Sequence, residues 1–463
     1  MYSTFFPFMR LLWPGGIEIR QYLKVLERMQ WLSQSDLEAI QFKKIQNLLK
    51  YAYENVPYYR DKYRNEDIHP NDVKSRKDFS ALPFLTREDV NQHLDSLVST
   101  QFRHKVYKDK TGGSTGEPMR FYTERSSARW GGAIQIRGRR WFGVNEGDKM
   151  AWIWGAERDM RRSSIFEHLK DQVKKYRYLS VYSMTKTKLR EFANMLMEWQ
   201  PVIIRAFPSA LKIFSEYIKN EGIPGINPKV IETTSEQLMV SDRQLFEEVF
   251  NCKVADCYSS RELYEMAYQC PEGGLHVCEP VFLEIISDGQ IAQNGQIGEI
   301  AATSLTKFGM PFIRYKNNDL GILERNGCSC GRGLPILKKV VGKKYDSIVT
   351  IDGTVVDGQF VSTIFREKPE VVKFQAYQRD RKHLKVRLVC NQMVDMQWIG
   401  NIKKELQTML GDGMHIKISI VDRIELSPSG KHHFLKSEVS TDFLSQNNNS
   451  TNAITNIGTS KVN

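Results

Sequence analysis

The sequence predicts an α/β protein with a large N-terminal domain of mixed sheets and helices and a small C-terminal α+β domain. Three observations carry this. Between residues 150 and 300, short apolar runs of strand length alternate with amphipathic helical patterns, the mark of an α/β body. Near residue 342 the pattern changes to two short strands, a helix and a further strand within about 100 residues, a normal domain size. The chain has 463 residues, 41% of them hydrophobic, which suffices for one large and one small core.

In chain order, residues 35–52 predict an amphipathic helix with Ser35 and Glu38 as a capping box. Leu37, Ile40, Ile45, Leu48, Leu49 and Ala52 would share its buried face, and Pro57 lies just beyond its end. Ala151–Trp154 and Val202–Ile204 read as buried strands, and Pro208 opens a helix bearing Leu211, Phe214 and Ile218. The strand Phe282–Ile286 leads through the turn Gly295-Gln296-Ile297-Gly298 to the strand Glu299–Ala302. Beyond the junction come the strands Phe374–Tyr377 and Lys385–Val389, a helix over Trp398–Leu410, and the strand Ile416–Val421. The expected domains are residues 1–341 and 342–443. Residues 444–463, rich in Asn, Ser and Thr, predict a disordered tail because they cannot bury enough apolar area to offset ordering.

The formal net charge of +12 suits polyanionic ligands such as nucleotides or coenzyme A, an anionic membrane surface or nucleic acid, without choosing among them. The most basic stretch, Arg158–Arg162 and then Lys174–Arg177, reads as a solvated helical face. The aromatic N-terminus (Phe5, Phe6, Phe8, Trp13) has neither the basic region nor the cleavage site of a signal peptide, and it is too short to span a bilayer. It predicts a strap packed on the body, with at most weak membrane-surface contact. The expected location is cytoplasmic, and a disulfide framework is not expected from seven cysteines.

The residues that carry chemistry come in a fixed order. Thr111-Gly112-Gly113-Ser114-Thr115-Gly116 packs three glycines and three hydroxyls into six positions. Backbone N–H groups and hydroxyls of such a turn cradle anions. No Lys-Ser or Lys-Thr closes the loop, so a P-loop NTPase is disfavoured. Four polar signatures follow: Tyr258-Ser259-Ser260-Arg261-Glu262, read as a short loop; Arg314 to Asp319; Gly342-Lys343-Lys344-Tyr345-Asp346 at the domain junction; and Ser429-Gly430-Lys431. Cys270, His276, Cys328 and Cys330 supply three thiolates and an imidazole, enough for a closed structural zinc site, with Cys278 as a substitute ligand. The bland alternative is that these cysteines are small buried hydrophobes.

This order resembles the adenylate-forming superfamily of acyl-CoA synthetases, and more narrowly the phenylacetate–CoA ligase branch with its CapK-type capsular-polysaccharide-biosynthesis relatives. The likeness spans roughly residues 30–440 and includes Asn55–Arg60, Cys270 to His276, Met310–Tyr315 and Cys328–Arg332. It implies ATP phosphates on Thr111–Gly116, an adenine pocket lined by Ser235 and Glu236, and Tyr258 packed on the adenine. It implies magnesium on Glu262, ribose hydroxyls on Asp319, a nucleotide contact from Ser259 and Lys343, and a lysine, Lys431, reaching in from a mobile small domain. Each role suits its side chain: a hard cation wants carboxylate and phosphate oxygens, and a lysine ammonium stabilises charge building at an α-phosphate. The sequence departs from the superfamily pattern at Ser259 (usually Gly), Lys343 (usually Arg) and Tyr345 (commonly Asp). Some members of the branch carry zinc on a similar pattern.

The resulting expectation is an AMP-forming acid–thiol ligase. ATP activates a carboxylic acid as an acyl-adenylate, and the acyl group passes to coenzyme A. The alternatives are transfer to an amine or hydroxyl of a sugar or amino acid, and, from another class, a non-catalytic zinc-bearing basic module. The region around Trp152–Gly155 and Phe207–Ser209 is the candidate acid pocket. ATP, magnesium, coenzyme A and zinc are the implied cofactors. Nucleic acid is not expected, and a homodimer is left open.

Overall fold

The computed structural model describes residues 15–111, 119–154, 175–181, 184–343, 347–352, 355–357, 361, 364–365, 368–425 and 434–439. Among them, the large domain is built on a twelve-stranded mixed sheet of order β11-β10-β12-β13-β14-β9-β8-β7-β6-β5-β3-β4. Its parallel part comprises β3 (Met150–Trp154), β4 (Tyr176–Ser180), β5 (Ile203–Ala206), β6 (Val230–Thr234) and β7 (Lys253–Ser260). The helices Lys186–Trp199, Pro208–Asn220 and Val240–Phe250 make the connections from β4 onward.

Both faces of this part are buried, which is why its strands read as continuous apolar runs. Ala151, Ile204, Ile231 and Val254 face the connecting helices, packed with Phe192, Phe214 and Phe246. Met150, Ile203, Val230 and Ala255 lie in a second cluster with Leu23 and Leu26 of the helix Gly16–Met29 and with Ala133 and Ile134 of the helix Arg125–Arg140.

From β7 onward the pairing is antiparallel. It runs through β8 (Tyr264–Gln269), β9 (Leu275–Val277), β14 (Ile336–Lys343), β13 (Tyr315–Glu324), β12 (Ile297–Ser304), β10 (Val281–Ser287) and β11 (Gln290–Ile291). Leu283, Ile285, Ile300, Ala302 and Leu337 pack there against Leu48, Leu49, Tyr59 and Tyr63. A separate hairpin joins β1 (Val106–Lys110) to β2 (Arg120–Glu124).

The C-terminal segment has its own core. The sheet of β17 (Val371–Asp380), β18 (His383–Cys390), β19 (His415–Ile420) and β20 (Leu435–Ser437) has the order β19-β18-β17-β20. Ile402, Leu406 and Leu410 of the helix Met396–Leu410 pack on Leu384, Val386, Leu388 and Ile416. A hairpin of β15 (Ser347–Val349) and β16 (Val355–Asp357) precedes it.

Three local readings are corrected. The first long helix is Gln34–Asn55, and its N-cap is Ser33, whose Oγ accepts from Asp36 N, so Ser35 and Glu38 form no capping box. Ile40 is exposed on that helix. Gln41 takes the buried position and donates to the carbonyls of Glu279 and Val281 at 3.1 and 3.2 Å. Tyr176 and Arg177 lie on a strand, not a helical face, and Arg177 stands over the Trp199 ring. Arg158–Arg162, Lys174, the aromatic N-terminus up to Trp13 and the 444–463 tail lie outside the described residues.

The helix Arg125–Arg140 approaches β8 closely at Gly138, where a Cβ would stand 2.6 Å from the ring of buried Tyr268. Overfilling a packed contact typically costs about 1–3 kcal/mol. Gly138→Ala is therefore expected to lower the denaturant midpoint by that equivalent with an unchanged slope. An unaltered midpoint would show that this spacing is not limiting.

Candidate active site

The parallel strands β5, β6 and β7 end side by side, and ligands of open α/β sheets bind at such carboxyl ends. Ser235 and Glu236 directly follow β6. Ser235 adopts a left-handed backbone (φ 73°), uncommon for a residue with a Cβ. Glu236 turns back to accept from Ser209 N at 2.9 Å, which places its carboxylate at the N-terminus of the helix Pro208–Asn220.

Tyr258, Ser259 and Ser260 are the last residues of β7 rather than a loop, and Arg261 and Glu262 form the turn after it. Ser259 Oγ lies 2.9 Å from Thr234 Oγ1. Ser260 Oγ accepts from Leu263 N at 3.1 Å and tightens the turn that presents Glu262.

The antiparallel part meets these strand ends through β13. Tyr258 OH donates to Asp319 Oδ2 at 2.7 Å, and Asn317 Nδ2 donates to Tyr258 OH at 2.6 Å and to Asp319 Oδ2 at 3.0 Å. Burial and the neighbouring Asp319 carboxylate push the Tyr258 phenol well above its ordinary pKa, so it stays a donor. Tyr315 OH donates to Glu262 Oε1 at 3.3 Å. Lys307 donates to the Glu262 carbonyl at 2.9 Å, from between the rings of Phe121 and Phe312. Burial lowers the Lys307 ammonium to about 8, against the opposing pull of Glu124 and Glu262.

Thr111 closes the β1–β2 hairpin: its N–H donates to Met119 O at 2.9 Å and its hydroxyl accepts from Met119 N at 3.0 Å. The loop that Thr111 and Met119 bracket, with Gly112, Gly113, Ser114, Thr115 and Gly116, lies outside the described residues, as do Lys431 and Tyr345. Arg261 Nε stands 3.8 Å from Asp109 Oδ2, tying the hairpin to the turn of Glu262. Lys343 is the backbone partner of Asp319 in the β13–β14 register.

Thus the fold gathers Tyr258, Ser259, Glu262 and Asp319, with Ser235 and Glu236 at the adjoining strand end. Sequence reading named Asn317 and Tyr315 only as members of the Arg314–Asp319 signature, without a role, and missed Lys307. The period-2 spacing of Tyr315, Asn317 and Asp319 put all three on one face of a strand and could have found the first two. No sequence signal distinguishes a buried lysine such as Lys307.

A second constellation lies on the other side of β8. The ligand atoms of Cys270, His276, Cys328 and Cys330 all fall within 4.8 Å of one another. Cys270 Sγ and Cys328 Sγ are 3.8 Å apart, and Cys330 Sγ is 3.2 Å from His276 Nε2. A tetrahedral ion with Zn–S bonds of about 2.3 Å needs sulfur–sulfur edges of about 3.8 Å. His276 Nδ1 lies 3.3 Å from the Leu334 carbonyl, an arrangement that leaves Nε2 as the ligating nitrogen. Gly274 is required beside the cluster, since a Cβ there would meet Cys328 Sγ at 3.0 Å and His276 Nε2 at 3.1 Å. Cys278 is not part of the group: its sulfur points to the His276 carbonyl at 4.0 Å.

Comparison with known proteins agrees with this architecture. Residues 348–438 match the family model described as the CapK C-terminal domain. The chain is 24% identical over 432 residues to Protein CapK of Staphylococcus aureus, covering 90% of this chain and 92% of that protein. It is 23% identical over 434 residues to phenylacetate-coenzyme A ligase of Pseudomonas putida, covering 88% and 96%. Among solved structures, 2-hydroxyisobutyryl-CoA ligase in the postadenylation state with 2-HIB-AMP superposes with a TM-score of 0.71 at 17% identity, over 89% of this chain and 92% of that one. O-succinylbenzoate coenzyme A synthetase of Bacillus subtilis, with ATP and magnesium ion, gives 0.50 at 16% identity over 71% and 68%.

The fold is that of the adenylate-forming CoA ligases among these structures. Over most of its length the chain is similar both to a CapK protein and to phenylacetate–CoA ligases, and residues 348–438 carry the match to the CapK C-terminal domain.

Proposed function

We propose that this protein activates a carboxylic acid with ATP, releasing pyrophosphate, and passes the acyl group from the acyl-adenylate to coenzyme A. The observation that carries this reading is the hydrogen-bonded group Tyr258–Asn317–Asp319 beside Glu262, at the carboxyl ends of the parallel strands. The relatives that are CoA ligases, and neighbours solved with acyl-AMP or with ATP and magnesium, support it.

In this reading the Thr111–Gly116 loop grips the ATP phosphates through its N–H groups and hydroxyls. Ser235, Glu236 and Ser259 border the adenine, and Tyr258 packs on it. Asp319 has two carboxylate oxygens, and Tyr258 and Asn317 hold one of them, so the carboxylate is pre-aimed at the ribose hydroxyls. Preorganisation of this kind avoids paying for reorientation at the moment of reaction. Lys343 adds positive charge on the neighbouring strand.

Glu262 fits magnesium, because it is a nearly buried hard oxygen donor that leaves the other ligand positions to phosphates and water. When bound, the ion would neutralise phosphate charge. Lys307 and Tyr315 hold the Glu262 backbone and carboxylate in place. The donor set and spacing of Cys270, His276, Cys328 and Cys330 fit a structural zinc that staples the β8–β9 turn to the 328–330 loop. Four protein ligands leave it no open position for catalysis.

Lys431 belongs to the small domain, residues 342–443 in our division, and reaches ATP by domain closure. Such closure excludes water and completes a catalytic site. Among the described residues no helix is long and apolar enough to cross a membrane, and a cytoplasmic enzyme is our reading.

Two experiments follow. An acid that supports pyrophosphate release is first found by screening a panel, and the two half-reactions are then measured separately. Lys431→Ala should slow adenylate formation about 10²–10³-fold, roughly 3–4 kcal/mol, and largely spare thioester formation from pre-formed acyl-adenylate. Glu262→Gln should weaken magnesium-dependent turnover strongly. Equal loss in both half-reactions for Lys431→Ala would contradict domain alternation, and no loss in the first would remove Lys431 from the mechanism.

Secondly, protein purified without added metal should contain about one zinc per chain, and Cys330→Ser should lower both zinc content and melting temperature. Metal-free protein that is fully folded and active would exclude the site.

A further inference from the structure

On the sheet face toward the helix Arg125–Arg140, the parallel strands carry a buried charged group that the nucleotide site does not use. Trp152, Arg205 and Glu232 are direct neighbours in register on β3, β5 and β6. Arg205 is 5% exposed, Glu232 fully buried, and Glu265 on β8 is 4% exposed.

Glu232 is heavily engaged. Arg139 donates to both its oxygens at 2.8 and 3.1 Å, Tyr268 OH donates at 2.6 Å, and Arg205 pairs with it. Burial opposes its ionisation, but Arg139 and Arg205 outweigh that and hold its carboxyl down at about 2. Glu265 is in the opposite condition. Burial raises its pKa, Arg205 only partly offsets this from 3.9 Å, and Gln135 holds one oxygen.

Besides Arg205 Nη1, which is ion-paired with Glu232, three polar atoms in this group are buried and have no hydrogen-bond partner among the described residues: Arg205 Nε, Trp152 Nε1 and Glu265 Oε2. Each such atom normally costs about 1–3 kcal/mol, so several together call for a partner. Other buried pairs, Arg137–Glu279 among them, also leave atoms unpaired. What sets this group apart is its place.

Arg205 is the penultimate residue of β5, one step before the strand end that leads through Phe207 to Ser209 and so to Glu236. Its guanidinium stands 5.2 Å from the Trp152 ring and 5.6 Å from that of Trp154, the last residue of β3. Trp154 in turn lies 4.2 Å from the Phe207 ring. Glu265 is the register partner of Ser259, which borders the proposed adenine site. The group therefore sits just inward of the nucleotide residues, where the tail of an acid would lie if its carboxylate met ATP at the strand ends.

We propose that Arg205, Trp152 and Glu265 form the floor of the acid pocket and select acids whose tails carry oxygen acceptors, such as hydroxyl, carbonyl or a second carboxylate, over plain alkyl or aryl acids. This rests on the adenylating reading of the strand-end site. The chemistry is direct: Arg205 Nε–H and Trp152 Nε1–H are two donors awaiting an acceptor, and a site built to hydrogen-bond a substrate rejects the analogue that leaves its groups unpaired. An apolar tail would leave both donors buried and unmet.

The test uses the full chain and acids paired by size, adipate with hexanoate and 4-hydroxyphenylacetate with phenylacetate. Binding is followed by tryptophan fluorescence, which Trp152 and Trp154 report, and turnover by pyrophosphate release. At least one acceptor-bearing acid should bind ten-fold or more tightly than its partner. Trp152→Phe, which keeps an aromatic ring and removes one donor, should weaken only that acid, and Arg205→Met should abolish the preference. Equal binding within both pairs, tighter binding of the apolar members, or a preference that survives both substitutions would overturn the proposal. Selective binding without pyrophosphate release would leave the pocket standing and overturn the adenylation reading instead. Binding of no acid would overturn the pocket.

Discussion

The hydrogen bond from Tyr258 to Asp319 is the constraint on which the site depends. Tyr258 lies on β7, the last parallel strand, and Asp319 on β13, four strands away through β8, β9 and β14. In a flat sheet those strands would be about 19 Å apart, at roughly 4.8 Å per strand. The two side chains nevertheless meet at 2.7 Å. The sheet must therefore curl strongly between β7 and β13, so that its antiparallel part folds over the carboxyl ends of its parallel part. Tyr315, also on β13, reaches Glu262 across the same gap. The β14–β9 junction, held by a single register pair between Ile336 and His276, is where the ladder is thinnest and bending easiest.

The cysteine cluster acts on that same junction. His276 is the β9 residue that pairs with β14, and Cys270, Cys328 and Cys330 surround it from the turn after β8 and the loop before β14. A metal there would fix the point at which the sheet turns from one part to the other, one strand from β8. Its contribution to the site would thus be positional: it would set the path of β13 and β14 and, with them, where Asp319 and Tyr315 point.

Much of this was legible in the sequence because it is local. Strands buried on both faces are uniform apolar runs, and β3 and β5 of the parallel part, with β17, β18, β19 and the C-terminal helix, emerged within a few residues of their observed limits, whereas β4, β6 and β20 were not read. The proximity of Cys270, His276, Cys328 and Cys330 was legible because cysteine and histidine are few. What escaped depends on long-range packing. Ser33 rather than Ser35 caps the first long helix because both positions offer the same hydroxyl and only the backbone chooses. Tyr258 to Ser260 read as a loop because their polar side chains face the strand end rather than a core. Lys307 and Arg205 are charged residues whose burial depends on aromatic rings and carboxylates brought in from other strands, and no spacing in the sequence announces that.

The central claim is that the strand-end group assembled by this curl brings ATP and a carboxylic acid together for adenylation. Its most direct test is exchange of labelled pyrophosphate into ATP by the whole protein, with and without acids and with coenzyme A omitted. The account predicts exchange that requires both magnesium and one class of acid, and that proceeds without coenzyme A. Exchange independent of any acid, or ATP bound without exchange across a broad acid panel, would contradict it.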